Sequence, residues 1–460
     1  MKKLIVIMLL PTMLMWSSCE KYLECDDCKT DPNNPSVTTA AMLLTIGQVA
    51  TFSNFEGNLS RVPQIWTQHL AGTDFQYYEF AQYNQTDNDL ENEWNQLYSD
   101  CFINMKLLLD DFGAGNPWYS GMAKIILAMN IGLTTDTWGD IPWSQALQGT
   151  ENLNPAYDSQ EQVYQTIQSL LDEAITDLGQ PAEANTLFPS TDDLVYGGDP
   201  AQWIKVAWVL KARYTNHLSK RNPAASATEA VNALNSAFSA GLSSSADDFN
   251  SMHGAAGNEL NQWYAFNNER GNYIKMGETL VELMKSISDP RLRFYAAEDD
   301  NGDYTGTEPG DNTTTTSNMG DYFSSPTSIA PIVTFVEAKF IEAEAKFRSG
   351  DLTGAANAHN AAIKEHIALI TGGPDAAFEA AEASETAGTI TLTKIMTHKY
   401  IAMFTQAEAW TDWRRTDIPN LTGVNGGDIP RRFVSSQGEN VNNSNSPKET
   451  NLFKKMWWDE

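Results

Sequence analysis

Residues 331–370, PIVTFVEAKFIEAEAKFRSGDLTGAANAHNAAIKEHIALI, leave the backbone few choices. The first half sets alanines and aromatics at helical spacing, with Phe340 and Ile341 on the inward stripe, and ends at Gly350. Asp351 can cap a second, alanine-rich helix directly after it. A connection of so few residues makes the two helices antiparallel neighbours.

Other segments repeat the pattern. In DSQEQVYQTIQSLLDEAITDLG, Asp158 is expected as N-cap with Glu161 three residues on, and Gly179 closes the helix. Pro200 is expected at the first helical position of DPAQWIKVAWVLKARYTNHLSK. Residues 90–113 and 118–139 give another neighbouring pair, and no alternating run suggests a large sheet. The expected fold is mainly α: a helical body with tetratricopeptide-like helix pairs and long aromatic-rich loops. The strict 34-residue consensus of that repeat is absent, so the repeat is degenerate. The loops fall at 54–89, 242–275 and 298–330, and loops of this length in a compact domain usually serve function.

A net charge of −29 repels nucleic acid and anionic membrane surfaces, and 42% apolar residues suit a globular chain. The N-terminus carries Lys2 and Lys3, an apolar run from Leu4 to Met15, and Trp16-Ser17-Ser18 before Cys19. That three-part build is a secretory signal. The run is about 12 residues, short of the ~20 that span a bilayer. A signal ending on cysteine resembles that of bacterial lipoproteins, although Trp16 stands where the usual lipobox has Leu. The expected organisation is a signal at 1–18, a flexible tether at 19–38 beginning with lipidated Cys19, and one α-helical domain at 39–460. Cys25 and Cys28 form a C-x-x-C without a second ligand pair nearby, read as a local disulfide or idle thiols. Cys101 lies in an apolar helical pattern and is expected to be buried and inert.

Several chemistries can be set aside. The chain has no G-x-S-x-G elbow, no H-E-x-x-H and no phosphate-binding glycine loop. His359 and His366, about 10 Å apart along one helix, cannot share a zinc and are expected to be surface or partly buried. DDNGDYTGTEPGD (299–311) has Tyr304 and Gly310 where a calcium loop needs Gly and Glu, so it is expected to be a solvated loop. No catalytic residues, metal site or cofactor are expected.

Aromatic rings interleaved with amides stand out in IWTQHLAGTDFQYYEFAQY (65–83) and NQWYAFNNERGNY (261–273). Exposed, such rings would stack on apolar sugar faces while amides meet hydroxyls. Trp66, Tyr77 and Tyr78 are expected to line a platform, with Trp263 and Tyr322 from later loops. The alternative is that these rings pack down on neighbouring helices.

The order of DPNNPS, WTQHLAGTDFQYY, TTDTWGDIPWSQAL, KARYTNHLS, LMKSISDPRLRFYA, FVEAKFIEAEAKFRSG, KYIAMFTQAEAWTDWRRTDIPNL and IPRRFVSSQGENVNN resembles the SusD/RagB family along nearly the whole chain after Cys19. These are surface nutrient-binding lipoproteins of Gram-negative outer membranes. The resemblance implies a helical body without catalysis that captures oligosaccharide and delivers it to a SusC-like TonB-dependent transporter. It also implies that Glu20, Glu24, Asp26 and Asp27 favour export to the cell surface. A peptide-binding, RagB-like role, a surface glycoside hydrolase and a purely structural adaptor are the alternatives. Within DTWGDIPW, Gly139, Pro142 and the two tryptophans are expected to form a packed inter-helix corner.

Overall fold

The Thr39 hydroxyl accepts from Met42 N and opens the first helix of the computed structural model, which describes residues 38–460. The signal, the tether, Cys19, Cys25 and Cys28 lie outside the described residues. Helix α1 (Ala40–Glu56) passes through Gly57 into α2 (Asn58–Trp66), and strand β1 (Leu70–Gly72) leads into α3 (Phe75–Ala81). The expected loop at 54–89 is therefore largely helical. Gly57 and Pro63 interrupt the periodic pattern there without stopping the chain from coiling.

From Glu91 to Gly113 the chain is helical with two π segments, and Cys101 is buried in the first, its thiol pushed up by burial. Then come α4 (Pro117–Trp138), β2 (Ile141–Pro142), β3 (Tyr157–Asp158), α5 (Gln160–Leu178), α6 (Pro200–His217) and α7 (Pro223–Ser239). β4 (Phe249–Ser251), α8 (Gln262–Glu269), β5 (Ile274–Met276) and β6 (Ala330–Val333) follow. The last main helices are α9 (Phe335–Ser349), α10 (Leu352–Thr371), α11 (Leu392–Ala402) and α12 (Glu408–Thr416).

The fold is mainly α, as expected. Helix α4 packs on α5, α5 on α6, α6 on α7, α7 on α9 and α9 on α10, a row of helix pairs. The strands form three two-stranded ribbons among the described residues. Gly350, at φ +87, ends α9 in the left-handed region, and Asp351 accepts from Gly354 N at 2.9 Å to start α10. Asp199 caps α6 ahead of Pro200. At α5 the cap is Ser159, in a reciprocal capping box with Gln162. Asp158 instead accepts from the Trp143 and Ser144 amides, tying down the corner in which Trp138 and Ile141 are buried.

Buried charge fixes how the pairs meet. Arg213 of α6 holds Glu337 of α9, and Arg415 of α12 holds Glu344 of α9, all nearly fully buried. Burial alone would raise the Glu344 carboxyl, but Arg415 and Arg348 hold it well below the usual range. Removing one partner of such a pair strands the other in low dielectric, at a cost of about 3–5 kcal/mol. A second set of bonds joins distant parts of the sequence. Thr405 N donates to Gln64 Oε1 (2.9 Å), Gln64 Nε2 to Gln406 O (2.8 Å) and the Tyr400 hydroxyl to Thr67 O (2.7 Å).

Candidate ligand-binding site

β1 and β5 run antiparallel, pairing Leu70 with Met276 and Gly72 with Ile274. This clasp brings together the two aromatic stretches at 65–83 and 261–273. Thr73 N donates to Tyr273 O (2.9 Å) and its hydroxyl to Asn272 O (2.6 Å). Gly72 is needed at the turn, since a Cβ there would lie 1.9 Å from Tyr77 O. Asp74 then caps α3, accepting from Phe75 N at 2.9 Å.

Phe75 takes φ +44, an unusual conformation for a bulky side chain that costs about 1–3 kcal/mol. Its ring is 65% exposed and stacks on Tyr273, with centroids 4.9 Å apart and planes at 24°. Beneath lie Tyr77 and Phe266, 4.9 Å apart, with the Arg61 guanidinium 4.4 Å over Phe266. Arg270 approaches the Phe266 ring at 5.6 Å, and Gln76 and Asn272 are exposed beside the stacked pair. The result is a flat aromatic surface on a rigid aromatic base, edged by amides and a guanidinium. It can stack an apolar ring face and hydrogen-bond its substituents.

The structure places the expected platform residues differently. Trp66 has no exposed surface; its Nε1 donates to Phe80 O and its ring meets Trp410 and Phe433 edge-on. Tyr77 is 1% exposed with its hydroxyl on Asn58, and Trp263 is 1% exposed near Arg61. These three are core, because 58–66, 75–81 and 262–269 are helices whose rings turn inward. Tyr78 is half-buried on α3. Tyr322 is also half-buried, but it packs on Phe294 and Phe323 and lines a separate cavity. Phe75 and Tyr273 lie within the two aromatic stretches but outside the expected set of platform residues. The signal was present: with Asp74 as N-cap, Tyr77, Phe80 and Ala81 make the inward stripe and leave Phe75 off it.

Several titratable groups meet in the interior. His217 bonds Glu408 at 2.7 Å and the Tyr164 hydroxyl at 2.8 Å, and Asp136 accepts from Trp458 Nε1 at 3.0 Å. Burial would raise Glu408, but His217 and Arg213 bring it to about 2. One cavity beside these groups is about 30 Å³, room for little more than a water, and Tyr164 also lines an open groove of about 770 Å³ with Glu161, Trp208, Lys211 and Trp457. No cluster of His, Cys, Asp and Glu among the described residues could hold a metal ion. His359 and His366, expected at or near the surface, are buried, because both fall on the inner stripe of α10 with Ala355, Ala362 and Ile370. Asp299 is occupied by its own loop, accepting from Asn301 N, Asp303 N and the Thr305 hydroxyl.

Residues 32–434 match the model of a family described as SusD-like, starch-binding associating with outer membrane. The chain belongs to the SusD-like family. Among solved structures, this SusD-like protein is similar to a SusD/RagB family protein from Bacteroides thetaiotaomicron (TM-score 0.77, 23% identity, 92% of this chain and 99% of that one). A chitin-binding SusD homologue from Flavobacterium johnsoniae aligns with TM-score 0.76 and 23% identity over 91% of this chain and 98% of its own. A SusD homologue from Bacteroides fragilis gives 0.74 and 20% over 92% and 100%. No curated protein matches. No helix among the described residues is long and apolar enough to cross a membrane.

Proposed function

We propose that this SusD-like protein captures a neutral oligosaccharide at the cell surface and hands it to a SusC-like TonB-dependent transporter, performing no chemistry itself. The observation that carries the proposal is the Phe75–Tyr273 stack, an exposed aromatic face held by a backbone conformation that a phenylalanine seldom adopts. The family's association with starch and the outer membrane supports a glycan as the ligand. The net charge of −29 favours a neutral glycan over an acidic one. Attachment through lipidated Cys19 rests on the signal-like sequence before it.

Isothermal titration with malto- and chito-oligosaccharides tests the proposal. Phe75→Ala and Tyr273→Ala should each weaken binding by about 1–2 kcal/mol, roughly five- to thirty-fold, with the helical circular dichroism unchanged. Equal affinity in both mutants would move the site elsewhere. Short products in the titration mixture would favour a glycoside hydrolase, and binding of peptides alone would favour the RagB-like role. In cells, Cys19→Ala serves as the control for release from the membrane.

A further inference from the structure

Where the β4–β6 ribbon, the start of α9 and the end of α10 meet, a cavity of about 150 Å³ opens beside Tyr322. A space of this size holds a benzene-sized group. Its walls include Phe323, Ile329, Val336, Leu369 and Ile370. Among the polar side chains that line it, Asp248, His366 and Gln406 are more than nine-tenths buried; Gln406 Oε1 is an unpartnered acceptor, and Asp248 and His366 each keep one polar atom without a partner among the described residues.

The chemistry of the Asp248 and His366 atoms can be worked out. Arg291 Nη1 donates to His366 Nδ1 at 2.8 Å, and a guanidinium can only donate. Nδ1 is therefore the acceptor of the ring, and the proton of the neutral imidazole sits on Nε2. Arg291 is itself held by Asp289 through Nε and Nη2, so its charge is already answered. Asp248 Oδ1 accepts from Phe335 N at 2.7 Å, leaving Oδ2 free. Among the described residues no cation pairs with Asp248, and the acidic groups around it are engaged elsewhere. Asp247 holds Lys205, Glu337 holds Arg213, and Glu365 accepts from Ser245 N and its hydroxyl. Burial, with Glu365, Asp247 and Glu337 adding to it against the Phe335 hydrogen bond, pushes the Asp248 carboxyl well above the usual range.

We infer that this cavity binds a small neutral group with a ring-sized apolar body and an amide or ester carbonyl, which accepts from His366 Nε2 beside the Asp248 carboxyl. A cation is disfavoured because it would face the imidazole N–H with Arg291 behind it. An anion is disfavoured by the neighbouring Glu365. The site is separate from the Phe75–Tyr273 platform, so neither proposal depends on the other.

Three probes with one ring and different head groups decide the matter: acetanilide (neutral amide), benzylamine (cation) and benzoate (anion). Each is titrated against the full purified protein by ligand-observed NMR. Acetanilide should bind saturably, at least about tenfold better than the other two, as expected where a site built to donate meets the wrong partner. Asp248→Asn keeps a carbonyl for Phe335 N and a donor at the other end, so it should retain acetanilide binding. In the wild type, binding should fall as pH rises through the ionisation of Asp248, and in Asp248→Asn it should not. Ile329 is half exposed, and Ile329→Trp should fill the cavity and abolish binding without changing the melting temperature. Benzylamine binding that Asp248→Asn removes would make this a cation site and overturn the inference. Absence of saturable acetanilide binding, or binding indifferent to Ile329→Trp, would overturn it as well.

Discussion

His359 has no exposed surface, and its ring lies 6.1 Å from Phe340 and 5.3 Å from His398. Neither ring nitrogen has a well-formed hydrogen bond. Burial brings its pKa to about 3, with His398 adding to the effect, and burial brings His69 to about 3 as well. A folded-state value below the unfolded 6.5 means that the unfolded chain takes up protons first as pH falls. Each histidine therefore leaves stability unchanged by this linkage above about pH 6.5 and subtracts from it as pH falls toward 3, at about 1.4 kcal/mol per pH unit. His359→Leu should raise stability at pH 7 by about 1–3 kcal/mol, since it removes an unsatisfied buried polar group. It should also reduce the pH slope between about 6 and 4 by one proton. Urea unfolding at several pH values checks both, and a less stable variant would reveal a partner for the imidazole. The sequence hid this because the seven-residue spacing that keeps the pair from sharing a zinc also places both histidines on one buried stripe.

At the scale of elements, the signals that proved legible were local. Gly350 and Asp351 marked the α9–α10 turn, Pro200 the start of α6, and Gly139 with Pro142 the packed corner. Phe340 and Ile341 are both buried without exposure, as their spacing implies. Phe340→Ala should cost about 3–5 kcal/mol, and an unchanged melting temperature would show that the pair collapses around the loss. Less legible were short helices crossed by glycine or proline, and strands of three residues. β1 and β5 lie some two hundred residues apart, and neither carries a period that a window could detect. The aromatic stretches could thus be found from sequence, but not which of their rings face outward. Only the clasp puts Tyr273 under Phe75.

Across the whole molecule, the class and the order of helix pairs followed from motifs spread along the chain. The charge network did not, because Glu337 and Glu344 look like ordinary solvent-facing positions of an α-helix. Their partners, Arg213 and Arg415, lie on other helices. The bonds joining α2 to residues 400–406 bear on the order in which the protein can be made. Gln64 and Thr405 are 341 residues apart, so a chain emerging N-terminus first carries α2 with its polar groups unanswered until nearly everything else has been synthesised. Closing contacts of such separation is slow. The nascent chain should stay loose and protease-sensitive for most of its synthesis, the condition in which a polypeptide can be threaded through a membrane pore. A chain ending at Thr391 should show no protected fragment on limited proteolysis while the full chain resists, and a stable core in the shortened chain would mean that the helix pairs fold without that late closure.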